Sequence, residues 1–211
     1  MTQKHWVFIG SILFLGLAGC LKYPDYGTRD GKLFVYTGYS PEADFSEYTT
    51  FYLVDSVALI SDSKNDPNRI KDKYALDALQ AFRENMEARG YVEVSDPDSA
   101  DLGGMITVLK NISIYSSGYY PGYWWGYPGY YPPGYWGYPS YGYWYPWSAV
   151  YYDQSGTVVL ELVDLKNAPA EEKLTIVFNA VMGDVYNINN PTQAAVDAIN
   201  QAFEQTPNLK K

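Results

Sequence analysis

The chain has 211 residues, with 15 basic and 24 acidic side chains, a formal net charge of −9 and a single cysteine. At roughly 100 to 200 residues per domain, this length supports one domain with its own hydrophobic core, so no disulfide or metal is needed to hold it together. Because the acidic balance repels phosphate backbones and no basic cluster offsets it, nucleic-acid binding lacks its main source of affinity.

Residues 1–19 have the pattern of a lipoprotein signal peptide. Lys4 gives a positive start, and the apolar run that follows is shorter than the roughly 20 residues that span a bilayer. The run ends in Leu17-Ala18-Gly19-Cys20, which resembles a bacterial lipobox, whose cysteine becomes the first mature residue and carries lipid. The resemblance implies a diacylglycerol thioether and an N-acyl chain on Cys20, and more than one acyl chain is what stable membrane anchoring requires.

Signal removal and lipidation restrict the chemistry that the mature protein can perform. Cleavage before Cys20 removes His5, the only histidine, and lipidation blocks the only thiol. Ser-His-Asp and Cys-His systems, histidine-containing zinc sites and disulfides are thereby excluded. We therefore expect a protein that is not an enzyme and has no cofactor or metal. No aspartate follows Cys20, and by analogy with known sorting signals this favours the periplasmic leaflet of the outer membrane.

A short lipidated tether and one domain are predicted for the first half of the mature chain. Residues 20–32 mix glycine, proline and charge without apolar periodicity, which is typical of a tether, and residues 33–207 form the domain. Strands are predicted at 32–36 and 48–54. The pair Asp66-Pro67 predicts the start of a helix that ends at Arg89-Gly90, where a left-handed glycine is expected.

The second half of the chain predicts more strands and a closing helix. The strands are expected at 91–94, 102–115, 148–152, 157–163 and 173–185, with 148–152 and 157–163 forming a hairpin. Asn190-Pro191 predicts the start of a helix that stops at Pro207. This order predicts an α+β fold: a mostly antiparallel sheet with two amphipathic helices packed on one face and a long aromatic low-complexity loop.

Residues 118–147, called here the aromatic segment, consist only of Tyr, Trp, Gly, Pro and one Ser. Every tryptophan of the chain except Trp6 lies in this segment, and no charged residue occurs between Lys110 and Asp153. Because proline lacks a backbone donor and glycine loses much entropy on ordering, turns and polyproline stretches are expected instead of regular elements. We expect an insertion whose replacement by a short turn would leave the sheet paired.

Three interpretations of the aromatic segment remain open. Its rings could pack on one another or on the sheet edge, in an expanded hairpin loop. They could form a recognition surface, because Tyr and Trp supply rigid apolar area that stacks on sugar rings and dominates interfaces. They could contact the headgroup region of the bilayer, which both residue types favour. The candidate ligand-contact residues of the recognition surface are Tyr123, Trp124, Trp125, Tyr135, Trp136, Trp144 and Trp147.

Scattered carboxylates are the remaining candidates for chemistry. Glu161 with Asp164, or Glu171 with Glu172, would in principle supply acid and base for glycoside hydrolysis. Solvated positions at strand edges and turns are the simpler explanation, because carboxylates are common along the chain. We therefore expect no catalytic residues among them.

Short motifs follow one another along the chain, and they are Val35-Tyr36, Asp44-Phe45-Ser46, Tyr48, Thr50-Phe51, Arg89-Gly90-Tyr91, Ala100-Asp101-Leu102, Gly156-Thr157-Val158-Val159-Leu160, Leu162 and Asp164. Together these motifs resemble the bacterial lipoprotein family that carries the domain of unknown function 4136. The resemblance covers roughly residues 33–207 without the aromatic segment, and it implies the fold and the envelope location while leaving the activity open. The family usually has a Trp and a Gly close together in its last strand, where this chain has Phe178, Asn179 and Ala180.

These observations predict a non-enzymatic, membrane-anchored envelope protein that faces the periplasm. In the favoured hypothesis the aromatic segment is a binding surface for a glycan, such as peptidoglycan, or for another envelope protein. A structural envelope protein with a disordered or self-associating loop is the alternative, and a hydrolase is a distant third. The expected contacts are the membrane through the lipid anchor and an envelope partner, with no nucleic acid.

Overall fold

The computed structural model describes residues 33–111, 123–147 and 156–211. The predicted signal peptide and the whole predicted tether at 20–32, including Cys20, lie outside the described residues, and so does the expected strand at 148–152. The strands are β1 (Phe34–Tyr39), β2 (Thr50–Leu53), β3 (Val57–Ser61), β4 (Arg69–Ile70), β5 (Val92–Glu93), β6 (Leu102–Lys110), β7 (Tyr143–Trp144), β8 (Thr157–Asp164) and β9 (Leu174–Gly183). The α-helices are α1 (Lys73–Ala88), α2 (Ala168–Glu171) and α3 (Pro191–Glu204).

Within the described residues the nine strands form one sheet whose main order is β1–β9–β8–β6–β2–β5. β3 pairs with the far end of β6, and β7 pairs with the start of β9. The β1–β9, β9–β8, β8–β6 and β3–β4 pairs are antiparallel, whereas β2–β5, β2–β6, β3–β6 and β7–β9 are parallel. The predicted mixture of helix and strand is confirmed, but the prediction of a mostly antiparallel sheet is wrong because the sheet is mixed.

The parallel pairs have a physical origin in the connection through α1. Parallel neighbours require a crossover of a dozen or more residues, usually a helix. The chain leaves β2 and β3, passes through α1 and returns to lie beside them as β5 and β6 in the same direction. Alternation of apolar side chains identifies a strand but carries no information on direction, so the sequence pattern alone missed this feature.

The first helix begins six residues later than predicted. Arg69 and Ile70 pair with β3 as an extended strand, which prevents a helix from starting at Asp66. The Asp66 carboxylate instead accepts hydrogen bonds from the Ser61 hydroxyl and the Lys110 ammonium. Asp72 is the actual N-cap, and its carboxylate accepts from the Ala75 amide at 3.1 Å. The predicted end at Arg89 is confirmed, with Gly90 in the left-handed region that favours glycine.

Helices α1 and α3 pack together on one face of the sheet. Phe82 of α1 and Phe203 of α3 have ring centroids 5.7 Å apart, and Phe203 also lies 5.8 Å from Phe178 of β9. Phe178 lies in register with Leu162 and Gly104, so all three share this face. The cap of α3 is the predicted one, since the Asn190 side chain accepts from the backbone of its N-terminal turn.

Residues 123–147 of the aromatic segment cover the opposite face of the sheet. The cross-strand row Gly38, Asn179, Glu161 and Met105 points to this side, and Gly103 follows two positions along β6. A Cβ atom on Gly103 would lie 2.6 Å from the Trp136 ring, so the indole rests directly on the backbone of β6. Because both faces are covered, every residue of β8 and β9 is buried.

The described part of the aromatic segment, residues 123–147, is folded against the sheet. It forms 3₁₀ turns at Tyr123–Gly126 and Pro133–Trp136 and then the strand β7. The expectation that the segment contains no regular element is therefore wrong at β7, which is itself a sheet strand. The physical reason is that the rings supply the apolar layer that this face of the sheet lacks. The buried rings of this layer are Trp124, Tyr130, Tyr131, Trp136 and Tyr145.

Candidate functional site

The candidate residues of the aromatic segment occupy three different environments. Trp124 and Trp136 have 0 % and 1 % of their surface exposed and belong to the hydrophobic core. Tyr123 opens the first 3₁₀ turn, and Cys20 lies outside the described residues. In this conformation the two buried indoles are out of reach of a ligand.

Three further candidates are half-buried and held by contacts within the protein. The Trp125 ring stacks on Tyr145 with centroids 5.2 Å apart and planes 7° from parallel. The Tyr135 and Tyr52 hydroxyls share a hydrogen bond of 2.9 Å. Trp147 meets the Tyr145 ring edge-on at 5.0 Å. These rings therefore act mainly as packing groups.

Trp144 differs from the other candidates because 54 % of its surface is exposed. It lies in β7, where side chains alternate between the two sides of the strand. Its neighbours Tyr143 and Tyr145 point inward: the Tyr143 hydroxyl donates to the Tyr131 carbonyl at 2.8 Å, and the Tyr145 hydroxyl donates to Glu161 at 2.5 Å. Trp144 is consequently the candidate that the structure presents to solvent.

Glu161 in the middle of β8 is the polar centre beneath the aromatic segment. It is fully buried, and its carboxylate accepts hydrogen bonds from the Tyr145 and Tyr130 hydroxyls at 2.5 and 2.9 Å. The Trp124 and Trp125 indole nitrogens lie 3.5 Å from its two oxygens. Burial raises the pKa of Glu161, while these four donors oppose the rise by stabilising the charged form.

A cleft opens beside Trp144. One edge of β9 pairs first with β7 and further along with β1, and the cleft lies between these two neighbouring strands. Trp144 is in register with Thr175, whereas Tyr39 at the end of β1 is in register with Phe178. The space left between these two strands has a volume of about 260 Å³. Its lining residues are Ser40, Glu42, Ala43, Asp44, Glu47, Tyr48, Trp144, Pro146, Asp164, Asn167, Glu171, Lys173, Thr175 and Val177.

A fixed hydrogen-bond network forms part of the cleft lining. The Tyr48 hydroxyl donates to Asp164 at 2.8 Å, and the Asn167 amide groups donate to the same carboxylate at 2.7 and 2.9 Å. Burial raises the pKa of Tyr48, and the nearby Asp164 charge adds to the effect, so the phenol stays protonated. These groups hold one arrangement before any ligand arrives.

The cleft is acidic. Five carboxylates line it, and Lys173 is the one lysine or arginine among its described lining residues. The Lys173 ammonium lies 3.4 Å from Glu171 and 5.9 Å from the centre of the Trp144 ring. Two hydrogen bonds from Ser46 keep the pKa of Asp44 below its ordinary value. The carboxylates are Glu42, Asp44, Glu47, Asp164 and Glu171.

The two carboxylates of β8 have an environment different from the one that the sequence predicted. Glu161 and Asp164 are not solvated strand-edge groups, because both are buried and hydrogen-bonded. Glu161 interrupts an apolar strand, and the aromatic segment has ring donors but no charge of its own. That combination was the available signal, since a buried carboxylate requires donors. The cleft gave no sequence signal, because its walls come from distant parts of the chain.

The described stretches of the chain show neither a cluster of metal ligands nor a membrane-spanning helix. In residues 33–111, 123–147 and 156–211, no group of three or more His, Cys, Asp or Glu side chains is arranged to hold a metal ion. The same stretches contain no helix with the length and apolar character of a membrane span.

Comparison with known proteins establishes the family. Residues 35–208 match the family described as domain of unknown function DUF4136, and this chain belongs to that family. The crystal structure of a DUF4136 family protein from Bacteroides thetaiotaomicron is 36 % identical, with a TM-score of 0.74. The match covers 84 % of this chain and 97 % of that one.

More distant structures match over a similar length. The PelC dodecamer from Paraburkholderia phytofirmans has a TM-score of 0.40 and 11 % identity, with 85 % of this chain and 99 % of that chain covered. The dodecamer of a point variant of PelC from the same organism has a TM-score of 0.39 and 12 % identity, with 84 % and 99 % covered. No curated protein matches the chain.

Proposed function

We propose that this protein is a non-enzymatic envelope lipoprotein whose domain binds a glycan in the cleft beside Trp144. Cys20 would anchor it in the outer membrane, with the domain facing the periplasm. The observation that carries the proposal is the exposed indole of Trp144 at the margin of a polar, preformed cleft.

The cleft has the chemistry that a saccharide requires. An indole face stacks on the apolar face of a sugar ring, while carboxylate, amide and hydroxyl groups pair with sugar hydroxyls. Trp144 supplies the ring, and Asp164, Asn167 and Thr175 supply polar groups in the lining. Drug-sized ligands occupy mostly apolar pockets of roughly 300 Å³ or more, so a smaller, polar cleft suits a sugar unit better.

The charge of the cleft restricts the class of glycan. Five carboxylates against one ammonium oppose a phosphate- or uronate-bearing ligand, because like charges across an interface cost several kcal/mol. A glycan of uncharged, N-acetylated sugars meets no such repulsion. The glycan strand of peptidoglycan is of this kind wherever the lactyl carboxyl groups of its N-acetylmuramic acid units are amide-linked to peptides, and it is the polymer nearest to a periplasmic anchor.

A titration with a defined saccharide tests the binding proposal. The full-length protein in detergent micelles is titrated calorimetrically with chitotetraose, a chain of four N-acetylglucosamine units, and with tetragalacturonate as the anionic counterpart. We expect chitotetraose to bind and tetragalacturonate not to bind. Trp144→Ala should weaken binding about tenfold or more, because the stacking platform is lost.

Tyr127→Ala is the matched control. Tyr127 is also an exposed aromatic residue of the same segment, but it does not line the cleft. Its replacement should change affinity by less than about twofold. Absence of chitotetraose binding, or equal affinity of wild type and Trp144→Ala, would contradict the proposal. Release of new reducing ends during the titration would point to the hydrolase instead.

The anchor is tested separately. Cys20→Ser should move the protein from the membrane fraction to the soluble periplasm, since lipid attachment at Cys20 is the proposed anchor. Mass spectrometry of the wild-type protein should find the N-terminal fragment carrying diacylglycerol and an N-acyl chain. A Cys20→Ser variant that stays with the membrane would overturn the anchor and leave the cleft proposal standing.

A further inference from the structure

The position of Trp144 depends on side-chain anchors, because its strand is very short. β7 has only two residues in register with β9, and the Leu174 amide donates to the Gly142 carbonyl at 2.9 Å at its start. Pro146 has no amide hydrogen with which to extend the pairing. A Cβ atom at Gly142 would meet no atom within 4 Å, so no side chain packs on that side of the residue that precedes β7.

The strongest anchor next to Trp144 is the Tyr145 hydroxyl. It donates to Glu161 Oε1 at 2.5 Å, and the Tyr145 ring lies between Trp125, stacked at 5.2 Å, and Trp147, edge-on at 5.0 Å. A hydrogen bond from a hydroxyl to a buried carboxylate is among the stronger hydrogen bonds in proteins. Tyr145 therefore holds one end of β7 to the centre of the sheet.

Contacts of the indole itself are weaker. Lys173 lies 5.9 Å from the ring centre, and its side chain is 42 % exposed. Cation–π contacts at solvent-exposed sites such as this one are weak. The orientation of Trp144 is thus set chiefly by the backbone on which it sits.

We infer that Glu161, acting through Tyr145, is a positioning residue that fixes the Trp144 indole at the margin of the cleft. Glu161 belongs to β8 and touches no ligand, but it holds the strand whose outward side chain is the stacking platform. The inference about affinity rests on the proposed glycan binding. The inference about the orientation of Trp144 does not, so the two can be tested apart.

Labelling the protein with 5-fluorotryptophan gives a readout of Trp144 without any ligand. The ¹⁹F resonance of Trp144 is assigned as the one missing from Trp144→Phe. Tyr145→Phe deletes the hydroxyl that reaches Glu161 and keeps the ring. We expect the Trp144 resonance of this variant to shift or broaden and the affinity for chitotetraose to fall about fivefold, because the indole is no longer held in one orientation.

Tyr131→Phe is the matched control. It also removes a buried tyrosine hydroxyl from the aromatic segment, but that hydroxyl donates to the Ser56 carbonyl at 2.7 Å and not to Glu161. A comparable loss of stability with an unchanged Trp144 resonance is expected. Glu161→Gln is the second variant and serves in place of Tyr145→Phe if Tyr145→Phe fails to fold. It should move the same Trp144 resonance.

The outcomes separate the two proposals. An unmoved Trp144 resonance in both Tyr145→Phe and Glu161→Gln overturns the positioning role, whatever the affinities are. An equal shift in Tyr131→Phe also overturns it, since the effect would then be general loosening. A shift confined to Tyr145→Phe and Glu161→Gln supports positioning, even if wild-type protein binds no chitotetraose and the glycan proposal fails.

Discussion

Glu161 shows how a single residue and a long segment depend on each other. Its carboxylate is buried in an apolar strand, where an ionised group without partners would be very costly. The four donors that surround it, two tyrosine hydroxyls and two indole nitrogens, all come from the aromatic segment. Glu161 therefore fixes the position of the aromatic segment, and the donors of the segment offset the cost of burying the carboxylate.

The pH dependence of stability follows from the pKa of Glu161. Burial raises this pKa above the ordinary value of 4.5, so the folded protein takes up a proton at a higher pH than the unfolded chain. Relative to Glu161→Gln, the wild type should therefore gain stability as the pH falls from 8 towards 5. Urea unfolding of both proteins across this range measures the difference. A difference that moves against the wild type on acidification would mean that the donors keep the pKa low.

Residue type alone does not reveal a role in the aromatic segment. Trp124, Trp136 and Trp144 are chemically identical, yet two belong to the core and one faces the cleft. The distinction comes from pairing of β7 with β9, which lies about thirty residues further along the chain. A recognition surface was one of three interpretations of the segment, and which of its tryptophans is exposed required the structure.

At the scale of elements, two neighbouring glycines in β6 let both covering layers approach the sheet. Consecutive side chains of a strand point to opposite faces. A Cβ at Gly103 would lie 2.6 Å from the Trp136 ring, and one at Gly104 would lie 2.9 Å from the Phe82 ring. Gly103 thus lets the aromatic segment approach one face of β6, and Gly104 lets α1 approach the other.

Alanine at each glycine should disturb one layer only. We expect Gly103→Ala and Gly104→Ala each to cost about 1–3 kcal/mol, the usual range for overpacking a core. Gly103→Ala should shift tryptophan emission to the red, because it displaces Trp136. Gly104→Ala should leave emission close to wild type, because it displaces α1. Red-shifted emission from Gly104→Ala but not Gly103→Ala would contradict the placement of the two layers.

Local signals predicted the elements well where the decisive contact was itself local. The end of α1 at Arg89-Gly90 and the start of α3 at Asn190 each depend on bonds within one turn. The start of α1 was misplaced because Asp66 and Asp72 are equally good caps, and β4 pairing with β3 decides between them. Strand direction in the sheet was likewise fixed by long-range connections.

The whole molecule is a three-layer structure in which one outer layer is made of rings. α1 and α3 cover one face of the sheet, and residues 123–147 cover the other. Truncating one fully buried aromatic side chain costs about 3–5 kcal/mol, and the net stability of a domain is about 5–15 kcal/mol. The buried rings together therefore contribute more free energy than the whole net stability of the domain.

Replacement of residues 123–147 by a short Gly/Ser linker should abolish cooperative unfolding. The variant would expose one face of the sheet, including Glu161 and the Gly103 backbone, and would remove β7 from β9. Circular dichroism during urea titration should show no sigmoidal transition, and a dye that binds exposed apolar surface should fluoresce without denaturant. A transition with wild-type midpoint would show that the helices and sheet suffice on their own.

The way β1 and β7 share one edge of β9 also has a consequence for how related chains could diverge. The opening between them exists only because each strand stops short, with Tyr39 opposite Phe178 and Trp144 opposite Thr175. Adding or removing one or two residues at either strand end would narrow or widen the recess, but it would also displace a buried side chain, Ser40 after β1 or Tyr145 after β7. Related chains could thus reshape the recess only together with a neighbouring buried position, so its width and the stability of the scaffold would change in step.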